Sequence, residues 1–351
     1  MKHIPKNKFL IIIGMILLVS CKKYKDEYYG VGLGVAPDDF TASALAVSKS
    51  NPNFKTETIN FQSDLSATVR WKLTLVGQTS GAIKIISGLS KSVDVSNSVW
   101  NGSTDTLKVF LKGETVVATL TALGWIGNSS TTLDISEVKD RGYVFGTFEN
   151  INVDHGAQNW LDASGLYWFY AFDAGEYELV DKIEDVSTPE GKYALLLSGR
   201  DVNTSFFIGQ VGISAPVGVF NLGTITNIND VYLNFYVKGA GIEVNKDYKF
   251  VVQIFEDDNN SGTVQYDGLE DKYTYQISLK YEGWKLHRIK YSSLTIDPGV
   301  SLSSERAFSP SKIANIGFFF GANTSAGLSA TNIISVEMDH FSITTNGPMI
   351  P

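Results

Sequence analysis

The sequence predicts an all-β fold in two parts, and three observations predict it. Apolar and polar residues alternate with period two along several stretches, which is the mark of half-buried strands. Apolar residues at helical spacing are hard to find anywhere after residue 36. Aromatic residues make up 12% of a chain in which only 19% of residues are charged, with 16 Tyr and 6 Trp, and aromatics favour pleated structure.

In chain order, the first element is not part of the fold. Lys2, Lys6 and Lys8 precede an apolar run from Phe9 to Val19, and Leu18-Val19-Ser20-Cys21 follows. A basic start, a short apolar run and small residues at a cleavage point describe a secretory signal. The run is too short for a spanning helix, which needs roughly 20 residues. Cys21 is the only cysteine of the 351 residues, and its context resembles the lipobox of bacterial lipoproteins. That resemblance implies that the Cys21 thiol is diacylated and that residues 1–20 are removed. Several buried acyl chains anchor stably where one is marginal. Lys25-Asp26-Glu27, close behind, is similar to the surface-export signal of lipoproteins in Gram-negative glycan-foraging bacteria. The implied location is the outer membrane, facing the cell exterior. Residues 21–36 read as the lipidated tether, because Gly30, Gly32 and Gly34 disfavour a helix.

Loss of Lys2, Lys6 and Lys8 leaves 26 basic against 37 acidic side chains, a net charge near −11. Nucleic-acid binding needs the opposite sign to neutralise phosphates. With a single cysteine there is no disulfide framework. Stability must come from apolar cores, and about 330 residues suffice for two.

Residues 37–138 form the first β part. Ala67–Val76 and Thr106–Lys112 alternate, and Lys112-Gly113-Glu114 turns into Thr115–Leu120 as a hairpin. Clusters at Gly77–Gly81, Gly88–Lys91 and Asn101–Asp105 punctuate the strands. About seven short strands in this length suggest an immunoglobulin- or fibronectin-like sandwich. Trp71 and Trp100 read as packing residues.

Charge rises at Asp134–Arg141, and residues 139–346 form the second part. Its strands are expected around Tyr143–Asn150, Glu190–Leu197, Val231–Gly239, Phe250–Glu256, Tyr273–Leu279, Glu282–Ile289, Lys312–Phe320 and Ile334–Phe341. Four landmarks stand in order: Phe148-Glu149-Asn150, Gly191-Lys192-Tyr193-Ala194-Leu195, Gly283-Trp284 and Met338-Asp339-His340. Their order and spacing resemble the galactose-binding-like β-jelly roll of carbohydrate-binding modules. The resemblance implies that the first and last strands lie side by side. It also implies a structural Ca2+ built partly from Glu149 and Asp339, with carbonyls near Lys192 completing an oxygen cage.

No Gly-x-Ser-x-Gly elbow, His-Glu-x-x-His pair or phosphate loop occurs. Two carboxylates would suffice for a glycosidase, but the acids fall mostly in loops. Asp257-x-Asn259-x-Ser261-Gly262 echoes an EF-hand loop, yet its twelfth position is Gly268, not the bidentate Glu. The stretch therefore reads as a solvated hairpin loop.

Sugar binding needs a flat apolar face for the C–H side of a pyranose and planar polar groups for its hydroxyls. Residues 158–170, with Trp160 and Trp168, are dense in both. Each of these two tryptophans fits either a core or a platform. Along Val231–Val237 the odd positions share one face, leaving Tyr232, Asn234 and Tyr236 on the other as a concave platform. Gln253 and Arg288 are placed on neighbouring strands and Arg200 at a loop; Trp284 reads as core. The expectation is a non-catalytic surface lipoprotein that binds polysaccharide for uptake and accompanies an outer-membrane glycan importer. The alternatives are an adhesion protein that docks a protein partner, and a glycan hydrolase or lyase.

Overall fold

Phe61–Gly77 (β2) is a single 17-residue strand whose odd-numbered residues all turn inward. Phe61, Leu65, Val69, Trp71, Leu73 and Leu75 are buried along that one face, as period-two alternation requires. In the computed structural model the described residues are 34–149, 159–161, 166–172, 178–200, 207–214, 219–239, 248–262, 270–297, 307–322 and 333–351. The chain is all-β and divides into two compact units between Lys139 and Asp140, with Leu107–Val109 grouped in the second. No helix among the described residues is long and apolar enough to cross a membrane.

In the first unit β2 pairs with Ala46–Val47 (β1), Ile83–Val93 (β3) and Thr115–Ala122 (β4), and Ser129–Asp134 (β5) pairs with β4. These strand pairings are all antiparallel. Trp100 packs edge-on to Phe54 and Phe110, and with Trp71 it is buried in the core.

Three local expectations are corrected here. Gly88–Lys91 does not break the chain but runs through β3. Gly88 lies opposite Trp71, where a Cβ would come 2.5 Å from the indole. The glycine makes room for the ring, and Ser90 Oγ accepts its Nε1–H at 2.8 Å. Thr106–Lys112 is not a strand. The buried Glu114 carboxylate accepts from the amides of Leu111, Thr79 and Ser80, so this backbone is held by a side chain rather than by a ladder. Finally, residues 34–36 are not free tether: Gly34 accepts from the Arg70 amide and Ala36 donates to Leu123.

The second unit is a jelly roll of two antiparallel sheets. One sheet takes Trp284–Lys290 (β15), Tyr232–Lys238 (β12), Ile333–Thr344 (β18), Tyr193–Arg200 (β10) and Glu178–Glu184 (β9) in that order, with Tyr143–Phe145 (β6) also on β18. The other takes Thr295–Ile296 (β16), Asp271–Ser278 (β14), Tyr248–Glu256 (β13), Ile313–Ala322 (β17), Phe207–Ser214 (β11), Tyr167–Phe172 (β8) and Asn159–Leu161 (β7). First and last strands do lie side by side, Phe145 opposite Phe341.

Between the sheets Phe235, Phe250, Phe318 and Phe341 pack ring against ring, with centroids 4.3 Å apart for Phe318–Phe341 and 5.6 Å for Phe235–Phe250. In β18 the inward phase changes from Val336 and Met338 to Phe341 and Ile343. A bulge opposite Phe235 inserts the extra residue, and His340 takes a φ of 49° there.

His287 lies opposite Phe235 and stacks on it at 5.7 Å, its Nε2 3.0 Å from the Tyr281 hydroxyl. Burial, helped by Lys285, pushes its pKa down to about 4. The unfolded chain therefore takes up a proton between about pH 6.5 and 4 that the folded chain refuses, so stability from this site falls as pH drops through that window. At most about 3 kcal/mol is at stake. A urea-midpoint profile should fall less steeply from pH 6.5 to 4 in His287→Gln than in the wild type; parallel profiles would refute it.

Candidate functional site

The face of β12 expected to be a platform is not open. Tyr236 is fully buried with Ala194, Trp284 and Met349 in a small cluster on the outer side of the six-stranded sheet. Met349 is held over that sheet by both of its backbone groups. Its amide donates to Asn234 Oδ1 at 3.0 Å, and Arg288 Nε donates to its carbonyl at 2.8 Å. Asn234 completes the layer by donating to Thr344 Oγ1 at 3.0 Å. Tyr232 remains half-buried. Arg288 thus holds the chain's own backbone, and Tyr236 cannot stack on a ligand. Trp168 is corrected too: it is wholly buried between the sheets against Phe148. Trp160 lies in β7 opposite Trp168. Its side chain, that of Arg200 at the end of β10, and residues 150–158 and 162–165 lie outside the described residues.

Gln253 belongs to the other sheet and does not share a face with Tyr232, Tyr236 or Arg288. Its neighbours form the open site. On the outer face of the seven-stranded sheet, strand pairing sets Phe169, Gly212, Gly317, Gln253, Thr274 and Thr295 in one transverse row. The next row reads Gln210, Phe319, Val251 and Gln276. A groove of about 690 Å³ lies over the part of these rows formed by Phe319, Val251, Gln253, Thr274, Gln276 and Thr295, and is bounded further by Tyr275, Ile296 and Asp297.

Two glycines lie side by side next to the groove. A Cβ on Gly212 would fall 2.3 Å from the Phe169 ring, so that ring lies across the bare backbone. A Cβ on Gly317 would meet only Gln253, at 3.8 Å, so this position is open space left unfilled. Phe319 is half-buried, with Phe207 at 6.1 Å between centroids. The groove thus sets the rings of Phe319 and Tyr275 beside the planar amides of Gln253 and Gln276 and the hydroxyls of Thr274 and Thr295. Asp297 is the one carboxylate among the described lining residues, and Lys272 pairs with it at 3.0 Å. Sequence reasoning found Gln253 and missed Phe319, Thr274 and Gln276. The signal was the alternation Gly317-Phe318-Phe319-Phe320, in which the inward Phe318 and Phe320 disguise the outward Phe319 as part of a buried run.

Glu149 and Asp339 are brought to one turn, residues 190–193. Glu149 Oε1 accepts from the amides of Lys192 and Tyr193, both at 2.8 Å. Asp339 is fully buried and accepts from the amides of His340 at 2.7 Å and Glu190 at 3.2 Å. Burial, then the charges of Glu190 and Glu149, push its carboxyl well above the usual range. Asp339 is met only by amides, and oxygen donors of this kind suit a hard cation; the neighbouring Glu190 is already engaged by His340 Nδ1 at 2.8 Å and by Arg141 at 3.6 Å. The Lys192 carbonyl already accepts from Asp185 at 2.9 Å.

The acidic stretch after β13 is solvated only in part: residues 259–262 are exposed, as expected, but its acidic start is not. Glu256, Asp257 and Asp271 are fully buried. Asp257 folds the loop inward by accepting from the amides of Ser261 at 2.8 Å and Gly262 at 2.7 Å.

No protein-family model matches the chain, and no curated protein matches it in sequence. Among solved structures it is similar to the family 11 carbohydrate-binding module of the cellulosomal cellulase Lic26A-Cel5E of Clostridium thermocellum. Identity there is 14% and the TM-score 0.37, over 57% of this chain and 93% of that one. A structure described under the promiscuous specificity of carbohydrate-binding modules from the β-sandwich superfamily matches at 10% identity and a TM-score of 0.34, over 88% and 98%. A xylan-binding domain of family 22 matches at 14% and 0.30, over 60% and 99%.

Proposed function

We propose that the chain binds polysaccharide in the groove on the outer face of its seven-stranded sheet and does not cleave it. The observation that carries this reading is the register that sets Phe319 beside Gln253, with Gln276, Thr274 and Thr295 on the neighbouring strands. It yields a trough with an apolar ring, planar amides and hydroxyls at its walls, the chemistry that a row of pyranose rings presents in complement. Hydrolysis needs two carboxylates about 5–9.5 Å apart, and the described lining offers only Asp297.

Around this site we place the rest of the protein. Cys21 carries the lipid anchor in the outer membrane. The first unit is an immunoglobulin-like spacer that holds the jelly roll away from the surface. The captured glycan passes to an outer-membrane importer, and many copies on one cell add avidity to a modest single site. Glu149 and Asp339 hold a structural Ca2+ that braces the 190–193 turn away from the groove. Membrane fractionation of a Cys21→Ser chain decides the anchoring.

The test of the central reading is affinity electrophoresis of the purified chain in native gels loaded with plant, algal and microbial polysaccharides. Retardation in one or a few gels is expected. Unaltered migration in all of them overturns the proposal and favours adhesion to a protein partner.

A further inference from the structure

We infer that Glu256, Asp258 and Asp271 form a second cation site, for Ca2+, at the end of the β13–β14 ribbon. Carboxylate oxygens of all three lie within 4.8 Å of one another. Glu256 and Asp271 are direct partners across the two strands, and Asp258 reaches the same point from two residues further on.

The cluster alone would be an acidic patch. The independent observation is Glu256 Oε2: it is buried in a fully buried side chain and has no hydrogen-bond partner. Leaving a buried acceptor unmatched is costly, more so for a charged group. The other oxygens are held as if to present a site. Glu256 Oε1 accepts from the Tyr291 hydroxyl and the Ser309 amide, both at 2.7 Å. Asp271 Oδ2 accepts from the Tyr273 hydroxyl at 2.8 Å, and Asp258 Oδ2 from the Asp271 amide at 3.1 Å.

Among the described residues the cationic side chain of Lys312 faces the group, with Nζ 3.5 Å from Asp258 Oδ1 and 3.3 Å from its carbonyl. Burial, aided by Asp258 and Asp271, pushes the Glu256 carboxyl up to about 8, the same crowding seen from another side. All the donors are oxygen, with no histidine or cysteine, which selects a hard cation over zinc or copper. Such an ion would clamp the ends of the two strands that carry Gln253, Thr274 and Gln276. It is separate from the Glu149–Asp339 pair, which sits on the six-stranded sheet.

The test uses calcium alone as the probe on the purified chain after chelator treatment. Bound ions are counted by equilibrium dialysis, and melting is followed with and without calcium. Wild type should gain about 5–10 °C at a calcium concentration roughly 100-fold above its Kd. Glu256→Gln should bind one ion fewer and lose the gain tied to it. In chelator the same variant should melt no lower than wild type, because it removes a crowded buried charge; this shows that it folds. Asp271→Asn should repeat the loss of one ion, whereas Asp339→Asn should keep the ion that Glu256→Gln loses. Equal calcium counts in Glu256→Gln and wild type, or no calcium on wild type, overturn the inference.

Discussion

Phe319→Ala should weaken polysaccharide binding about 10–100-fold and leave the melting temperature nearly unchanged. The ring stands half-buried on the outer face of β17, where it lines the groove. Covering such a side chain with ligand contributes about 1.5–3 kcal/mol, and each 1.4 kcal/mol is a factor of ten in Kd. Its removal leaves the inter-sheet core intact, since Phe318 and Phe320 are the residues of this run that face inward. Gel retardation measured as a function of polysaccharide concentration reads the change directly. Undiminished retardation of this variant would move the site elsewhere.

The opposite outcome is expected for Trp168→Ala. This indole is wholly buried between the sheets, 5.5 Å from the Phe148 ring. Emptying such a site removes transfer energy and leaves a cavity, for about 3–5 kcal/mol. For a unit of this size that corresponds to a melting point lower by about 6–20 °C. Calorimetry should show the loss in the transition of the second unit, with the first unit melting as before. A Trp168→Ala chain that melts normally but no longer binds glycan would restore the tryptophan as a ligand contact and sink the core assignment.

The two residues show how far the sequence reaches. Alternation placed Val231, Leu233, Phe235 and Val237 on one face, and all four are in the core. Alternation also defines a second face, but it does not say what lies on it. The outer face of β12 is closed by Met349, more than a hundred residues along, through a hydrogen bond to Asn234. No local pattern near Tyr236 carries that information. The groove was hidden for a different reason. Phe319, Gln253 and Thr274 come together across three strands, and that alignment is a property of register. Charge misled at Glu256, where acidic residues suggested solvent, while Tyr291 and Ser309 enclose the carboxylate from distant parts of the chain. Period-two patterning was legible because it is local; coverage, depth and enclosure are set by long-range contacts.

The position of β18 has a kinetic consequence. It pairs with β12 on one side and with β10 and β6 on the other, so the sheet has no middle until residues 333–344 exist. Its partner Phe145 must wait for Phe341 across nearly two hundred residues. Closing loops of that length before their contacts repay the entropy makes folding slow. During synthesis from the N-terminus, the second unit stays an unfinished half-sandwich with its apolar strands uncovered, while the first can already be complete. The jelly roll is therefore a late-closing structure, dependent on whatever keeps its exposed strands apart until the final one arrives.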